Sequence, residues 1–366
     1  MSGDPERAEL DAALVAWARE PAWKRDDARF ETLALALFAH QFERCAPYRA
    51  FCRGRGRTPQ NVEHWREIPA VPTGGFKELV LASFPVERAV ARFETSGTTT
   101  AARGALHLDT LAVYEASLLA SFRRALLPDL APGARARLAV LAPSGAEAPH
   151  SSLSHMFDTA LAALGSENSR HWVAGDALDW RRTLADLEAL ADASEPTLLC
   201  GTAFAFVHLL DGLAERGLRA ALPAAARIME TGGFKGRSRE LPREALYGEL
   251  EARLGVPGAR IVNQYGMTEL GSQFYDSVLC EPGAARRKLA PPWTRVRLLG
   301  EGGAEVAAGE VGRIAIADLA NTGSVAFVET ADLGRAVGDG FEVLGREPGA
   351  EERGCSIAAD ALLGSG

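Results

Sequence analysis

Residues 259–272 read ARIVNQYGMTELGS, a short apolar run closed at once by a polar turn containing Gly266 and Gly271. A run of this length between turn residues reads as a buried strand, and the turn then lies at its carboxyl end. The same unit recurs upstream in ARLAVLAP (136–143), TLLCGT (197–202) and ARIMETGG (226–233). Between these runs lie amphipathic segments with apolar residues at three- and four-residue spacing: 111–127, 152–164, 180–191, 203–215 and 243–254. Strand alternating with helix predicts an α/β fold around a mostly parallel sheet covered on both faces. In such sheets ligands sit beyond the carboxyl ends of the strands, so the loops after each run are the places to search for chemistry.

Upstream of this region, AELDAALVAWARE (8–20) and ARFETLALALFAHQFERC (28–45) have helical periodicity and suggest an outer layer. Residues 58–77, rich in Pro and Gly and without a sustained period, are expected to form a loop across the surface. After Pro292 the pattern changes to short β-prone pieces, TRVRLLG (294–300), VGRIAIAD (311–318), SVAFVET (324–330) and GFEVLGR (340–346), which predict a small antiparallel subdomain. The expected organisation is an α/β core with its N-terminal helices over 1–290, the β-subdomain over 291–346 and a short tail over 347–366.

A chain of 366 residues that is 47% hydrophobic is long enough for two or three packed subdomains. It has no apolar run of eighteen residues and begins with acidic residues rather than a basic and then apolar leader, so a soluble, non-exported, cytoplasmic protein without membrane insertion is expected. A net charge of −8 argues against a nucleic-acid surface, and the basic clusters at 53–57 and 123–127 read as solvated surface. Cys45, Cys52, Cys200, Cys280 and Cys355 are odd in number and form no CxxC pair, so neither a disulfide framework nor a zinc site is indicated.

Five stretches carry chemistry-bearing residues. In FETSGTTTAARGALH (93–107), Thr95, Ser96, Thr98, Thr99 and Thr100 surround Gly97 with hydroxyls. Such a loop can offer hydroxyl and backbone N–H donors to phosphate oxygens, with Arg103 adding charge, although a Ser/Thr run taken alone is more often a plain loop. In the opening stretch, Tyr265 can stack on a flat base, Thr268 can donate to a phosphate and Glu269 can hold magnesium. In ETGGFKGR (230–237), Gly232 and Gly233 allow a ligand against the backbone. In VETADLG (328–334), Asp332 is expected at the end of a short strand, placed to accept from ribose hydroxyls. Finally, in VLGREPGAEERGCS (343–356), a lone Cys355 would usually be structural and buried, but its polar stretch and Arg353 two residues away favour an exposed thiolate.

The order of these motifs, TSGTT, a Gly-Gly turn, YGMTE, T-x-DLG and a Gly-Arg turn, resembles the acyl-adenylate-forming superfamily of acyl-CoA synthetases, adenylation domains and luciferases. VPTGGFKEL (71–79), APSGAEAPHSSLSHMFD (142–158), YGMTELGSQFYD (265–276) and RGCS (353–356) are similar, more narrowly, to the LuxE-type acyl-protein synthetases. The resemblance spans about residue 65 to the end. It implies that Thr95, Ser96, Gly97, Thr98 and Thr99 contact the phosphates of ATP and that Gly232 and Gly233 line the adenosine pocket. Tyr265, with Gly266 in the same turn, would serve adenine, Thr268 the α-phosphate, Glu269 Mg2+ and Asp332 the ribose. Arg346 is the Arg of the Gly-Arg turn near the ribose, and Cys355 stands where the family's acceptor thiol lies. Two departures are visible. Thr100 and Arg103 replace the usual Gly and Lys, and the chain stops about where the mobile C-terminal domain of most acyl-CoA synthetases begins, as it does in the acyl-protein synthetases.

The implied reaction is attack of a carboxylate, fatty or otherwise apolar, on the α-phosphate of MgATP, followed by transfer of the acyl group to a thiol. The acceptor would be Cys355, with a fatty-acid reductase as possible partner. Two alternatives stand beside it: a ligase that loads a carrier protein or coenzyme A, and a catalytically inactive nucleotide-binding subunit of an acyl reductase.

Overall fold

The computed structural model describes residues 4–95, 103–175, 177–191, 194–232 and 241–347. The chain divides into two compact units. One takes the residues up to Ser121, Gly266–Phe274 and those from Arg287 onward; the other takes Phe122–Tyr265 and Tyr275–Arg286.

In the second unit the strands run in the order Ile261–Tyr265, Arg227–Thr231, Thr197–Thr202, Arg137–Leu141 and Arg170–His171, each parallel to its neighbour. Parallel sheets need helices on both faces, which is why the Arg137–Leu141 strand is buried at every residue. Helices Ala203–Glu215 and Arg243–Leu254 contribute Phe206, Leu210, Leu246 and Leu250 to a core shared with Leu199, Ile228 and Ile261. Local chemistry fixes where these helices begin and end. Thr202, the last residue of its strand, turns the chain into the next helix by accepting from Ala205 N at 3.1 Å. Gly255 ends Arg243–Leu254 at φ 72°, a left-handed position that a side chain would oppose.

The first unit holds helices Pro5–Ala18, Asp27–Arg44 and Ala46–Gly54 and an antiparallel sheet ordered Thr294–Leu299, Val311–Asp318, Phe327–Val337, Gly340–Arg346 and Lys288–Leu289. Two expectations are corrected here. Residues 58–77 are not a surface loop, for Trp65, Ile68, Val71 and Phe76 are buried and Val71–Pro72 adds to the sheet parallel to Phe327–Val337. The apolar residues are spaced too irregularly for either period, yet each has a core to enter, as Trp65 does against the Phe30 ring at 5.4 Å. Asp332, expected at a strand end, lies within the 11-residue strand Phe327–Val337, which pairs it directly with Arg346. Among the described residues no helix is long and apolar enough to cross a membrane.

Candidate active site

In the first unit the turn after Tyr265 is fixed by a buried polar network. Ser272 donates through its backbone N (2.8 Å) and its hydroxyl (2.6 Å) to Asp318, which is completely buried. Trp293 Nε1 donates to the hydroxyls of Ser117 (3.0 Å) and Ser272 (3.1 Å). Burial pushes the Asp318 carboxyl up to about 6, against the pull of its hydrogen bonds from Ser272, Ala320 and Gly271. Gly271 must be glycine for the turn to lie this close, because a Cβ there would fall 2.7 Å from the Ala320 carbonyl carbon. Asn321, also completely buried, donates from Nδ2 to the carbonyls of Glu269 and Val325, both at 2.9 Å.

This network presents Thr268 and Glu269. Thr268 Oγ1 donates to Glu94 O at 3.3 Å, at the root of the Ser/Thr loop. Thr95 closes that root: its N donates to Gly104 O (2.9 Å) and its hydroxyl accepts from Gly104 N (3.0 Å). Arg103 is exposed and reaches Glu94 at 3.5 Å. Glu269 is buried, and burial raises the pKa of its carboxyl; the charges of Arg346 and Lys77 pull it down and that of Asp332 pushes it up. Arg346 Nε is 3.2 Å from Asp332 Oδ1. Lys77, Glu269 and the paired Asp332 and Arg346 are thus an interacting set of charges drawn from three regions far apart in sequence, the last two standing on adjacent strands.

The second unit places Gly232 in a cavity of about 130 Å³ lined also by Ala203, Glu230, Leu241, Arg243, Leu246 and Asn263. Glu230 is buried and accepts from Asn263 Nδ2 (2.7 Å) and Tyr247 OH (2.9 Å). Asn263 is fixed further by its N–H to Asp276 Oδ2 at 3.1 Å, and Arg286 neutralises Asp276 at 2.7 Å. Among the described residues, a Cβ on Gly232 would meet nothing within 4 Å. Tyr265 ends the strand that carries Asn263.

A family model described as "Acyl-protein synthetase, LuxE" matches residues 7–363. The chain belongs to the LuxE acyl-protein synthetase family. This LuxE-family chain is similar in fold to solved acyl-CoA ligases. An open conformation of 2-hydroxyisobutyryl-CoA ligase in complex with 2-HIB-AMP and CoA has a TM-score of 0.63 at 13% identity, over 90% of this chain and 80% of the ligase. The same ligase in its thioesterification state gives 0.61 at 15% identity, over 85% of this chain and 64% of that one. A Brucella canis acyl-CoA synthetase gives 0.51 at 21% identity, over 71% of this chain and 45% of that one. No curated protein sequence matches the chain.

Of the residues singled out in sequence, Thr95, Arg103, Thr268, Glu269, Asp332 and Arg346 fall in the first unit, with Gly266 opening its turn, and Gly232 and Tyr265 in the second. Ser96, Gly97, Thr98, Thr99, Gly233 and Cys355 lie outside the described residues. Cys45, Cys52 and Cys200 are buried, and burial raises each thiol's pKa, Cys52 to about 12, so none of the three is an activated nucleophile. Sequence reading missed Lys77, Asn263, Asp318 and Asn321. Only Lys77 and Asn263 stood inside a quoted motif; Asp318 and Asn321 looked like the end of one β-prone run and the turn after it. Among the described residues, Asp4, Glu6 and His40 also bring three ligating atoms within 4.8 Å of one another, but Asp4 already caps its helix and pairs with Arg44 at 2.9 Å.

Proposed function

We propose that this LuxE-family chain activates a carboxylic acid with ATP as an acyl-adenylate and then transfers the acyl group to a protein thiol, that of Cys355. The observation that carries the reading is the setting of Glu269, a buried carboxyl presented by the YGMTE turn, within the electrostatic reach of Asp332, Arg346 and Lys77 and one residue from a threonine tied to the root of the hydroxyl-rich loop. Burial disfavours the Glu269 carboxylate, so a cation beside it would be stabilising, and carboxylate oxygen is a hard ligand of the kind magnesium takes. When bound, magnesium would neutralise charge on the phosphates.

Thr268 and the loop that Thr95 closes take the phosphates, and Asp332, aligned by Arg346, accepts from the ribose hydroxyls. A carboxylate oxygen bonds to the α-phosphorus as the bond to the bridging oxygen breaks, and the electron pair leaves with pyrophosphate. The thiolate then bonds to the acyl carbon and AMP leaves, giving a thioester. Fatty or other apolar acids are the proposed substrates, and an acyl reductase or a carrier protein would take the acyl group onward. The four free cysteines among the described residues suit a reducing compartment such as the cytoplasm.

Acid-dependent exchange of labelled pyrophosphate into ATP tests the first step. For the second, wild type and Cys355→Ser are incubated with MgATP and an accepted acid and weighed intact. Wild type is expected to gain the acyl mass and lose it to hydroxylamine. A Cys355→Ser protein acylated just as well would exclude Cys355 as acceptor.

A further inference from the structure

The roles above leave Lys77 unused, and its surroundings give it one. Val71 stands opposite Val328 and Pro72 opposite Glu329, and Thr73 N then donates to Glu329 O at 3.0 Å. The chain leaves the sheet three residues short of the Asp332 position on the neighbouring strand and winds into the single helical turn Gly75–Glu78. That turn is pressed against the root of the hydroxyl-rich loop: Phe76 is buried, and a Cβ on Gly104 would lie 3.4 Å from the Phe76 carbonyl carbon and oxygen. Gly104 is itself bonded to Thr95 through both backbone groups. Lys77 is half-buried, makes no ion pair of its own among the described residues, and joins Arg346 as one of two cations acting on the Glu269 carboxyl. Arg346 is already paired with Asp332. Among the described residues Lys77 is therefore the cation of this cluster without a carboxylate of its own.

We propose that Lys77 is a catalytic residue of the adenylation step, its ammonium bridging the attacking carboxylate and the α-phosphate of ATP. The proposal rests on the acid-activation reading above. Bringing a carboxylate to a phosphate sets anion against anion, and a compact cation on a flexible stem, half out of water, offsets that repulsion most where the two anions converge. The bond from carboxylate oxygen to phosphorus forms, the bond from phosphorus to the bridging oxygen breaks, and pyrophosphate carries off the electron pair. No proton moves to or from the lysine. In the second half reaction the carboxylate charge is already consumed, so the cation has far less to do there.

The test separates the half reactions. Lys77→Met keeps most of the apolar stem without the charge, and Lys77→Arg keeps a charge. Each is compared with wild type in pyrophosphate exchange over straight-chain fatty acids from butanoic to hexadecanoic, and in AMP release from the synthetic acyl-adenylate of whichever acid wild type accepts. For Lys77→Met we expect exchange to fall on the order of 100- to 1,000-fold, AMP release to stay within about threefold and the unfolding midpoint to hold, with Lys77→Arg restoring part of the exchange. Exchange in Lys77→Met within about threefold of an active wild type would overturn the role of Lys77 alone. So would equal losses in both half reactions that follow a lowered unfolding midpoint. A wild type silent with every acid would overturn the acid-activation reading, and this proposal with it.

Discussion

Asn321→Ala should both loosen the fold and impair the chemistry, because one side chain holds the backbone that presents Glu269. Its Nδ2 satisfies two carbonyls, those of Glu269 and Val325, at 2.9 Å each, in a position with no solvent exposure. Removing the amide leaves both carbonyls without that donor, while it also removes Asn321 Oδ1, a buried oxygen that has no hydrogen-bond partner among the described residues. Two orphaned groups gained against one lost leaves a net of one, about 1–3 kcal/mol of stability. Asn321→Asp is the sharper variant. It sets a carboxyl oxygen against one or both carbonyls, so it should be less stable than Asn321→Ala at pH 8 and recover as the pH falls and the carboxyl gains a proton to donate. Urea unfolding followed by tryptophan fluorescence at pH 5 and pH 8 measures both, and pyrophosphate exchange well below the midpoint measures the displacement of Glu269, expected at tenfold or more by the usual cost of misplacing a catalytic group. An Asn321→Ala protein with the wild-type midpoint and undiminished exchange would refute the reasoning.

Glu269→Gln should lower exchange on the order of 10- to 1,000-fold by removing the proposed magnesium ligand. Its carboxyl pKa is raised in the folded protein, so the charged form is the disfavoured one, and Glu269→Gln should be at least as stable as wild type at pH 8; a large drop in midpoint would make Glu269 structural. Asp332→Ala should raise the ATP concentration needed for half-maximal exchange more than it lowers the rate at saturation, as a ribose contact common to ground and transition states would. An effect confined to turnover would contradict the ribose role. Asp318, raised from 3.8 to about 6, contributes stability that is fully present below pH 3.8 and is lost as the pH rises through about 6. That loss amounts to about 3 kcal/mol at most, and Asp318→Asn should flatten the pH dependence of the midpoint between pH 4 and 7. A variant as pH-dependent as wild type would contradict the assignment.

The alternation of short apolar runs with helical segments was legible because each strand of the parallel sheet is buried and each helix amphipathic. The helices expected over 152–164, 180–191, 203–215 and 243–254 match the observed elements residue for residue. Residues 58–77 were not legible, since their burial depends on a strand more than 250 residues later that takes up Val71 and Pro72. In the site, the residues proposed to face a ligand carried their signal in local motifs, as Glu269 and Asp332 did. The side chains that hold those motifs in place did not. Asp318 and Asn321 act through backbone groups of residues some fifty positions away, and no local pattern records such a contact. Lys77 lay in plain view within VPTGGFKEL, but its bearing on Glu269 comes only from the pairing of Val71–Pro72 with Phe327–Val337.

The central claim, that the acid is activated by bonding its own oxygen to the α-phosphorus, is tested most directly by isotope transfer. An accepted carboxylic acid labelled with 18O in both oxygens is incubated with the protein, MgATP and hydroxylamine, and the nucleotide products are weighed. The account requires AMP carrying one labelled oxygen, left on phosphorus when the acyl carbon–oxygen bond breaks. Unlabelled AMP, or ADP with the label in inorganic phosphate, would contradict it.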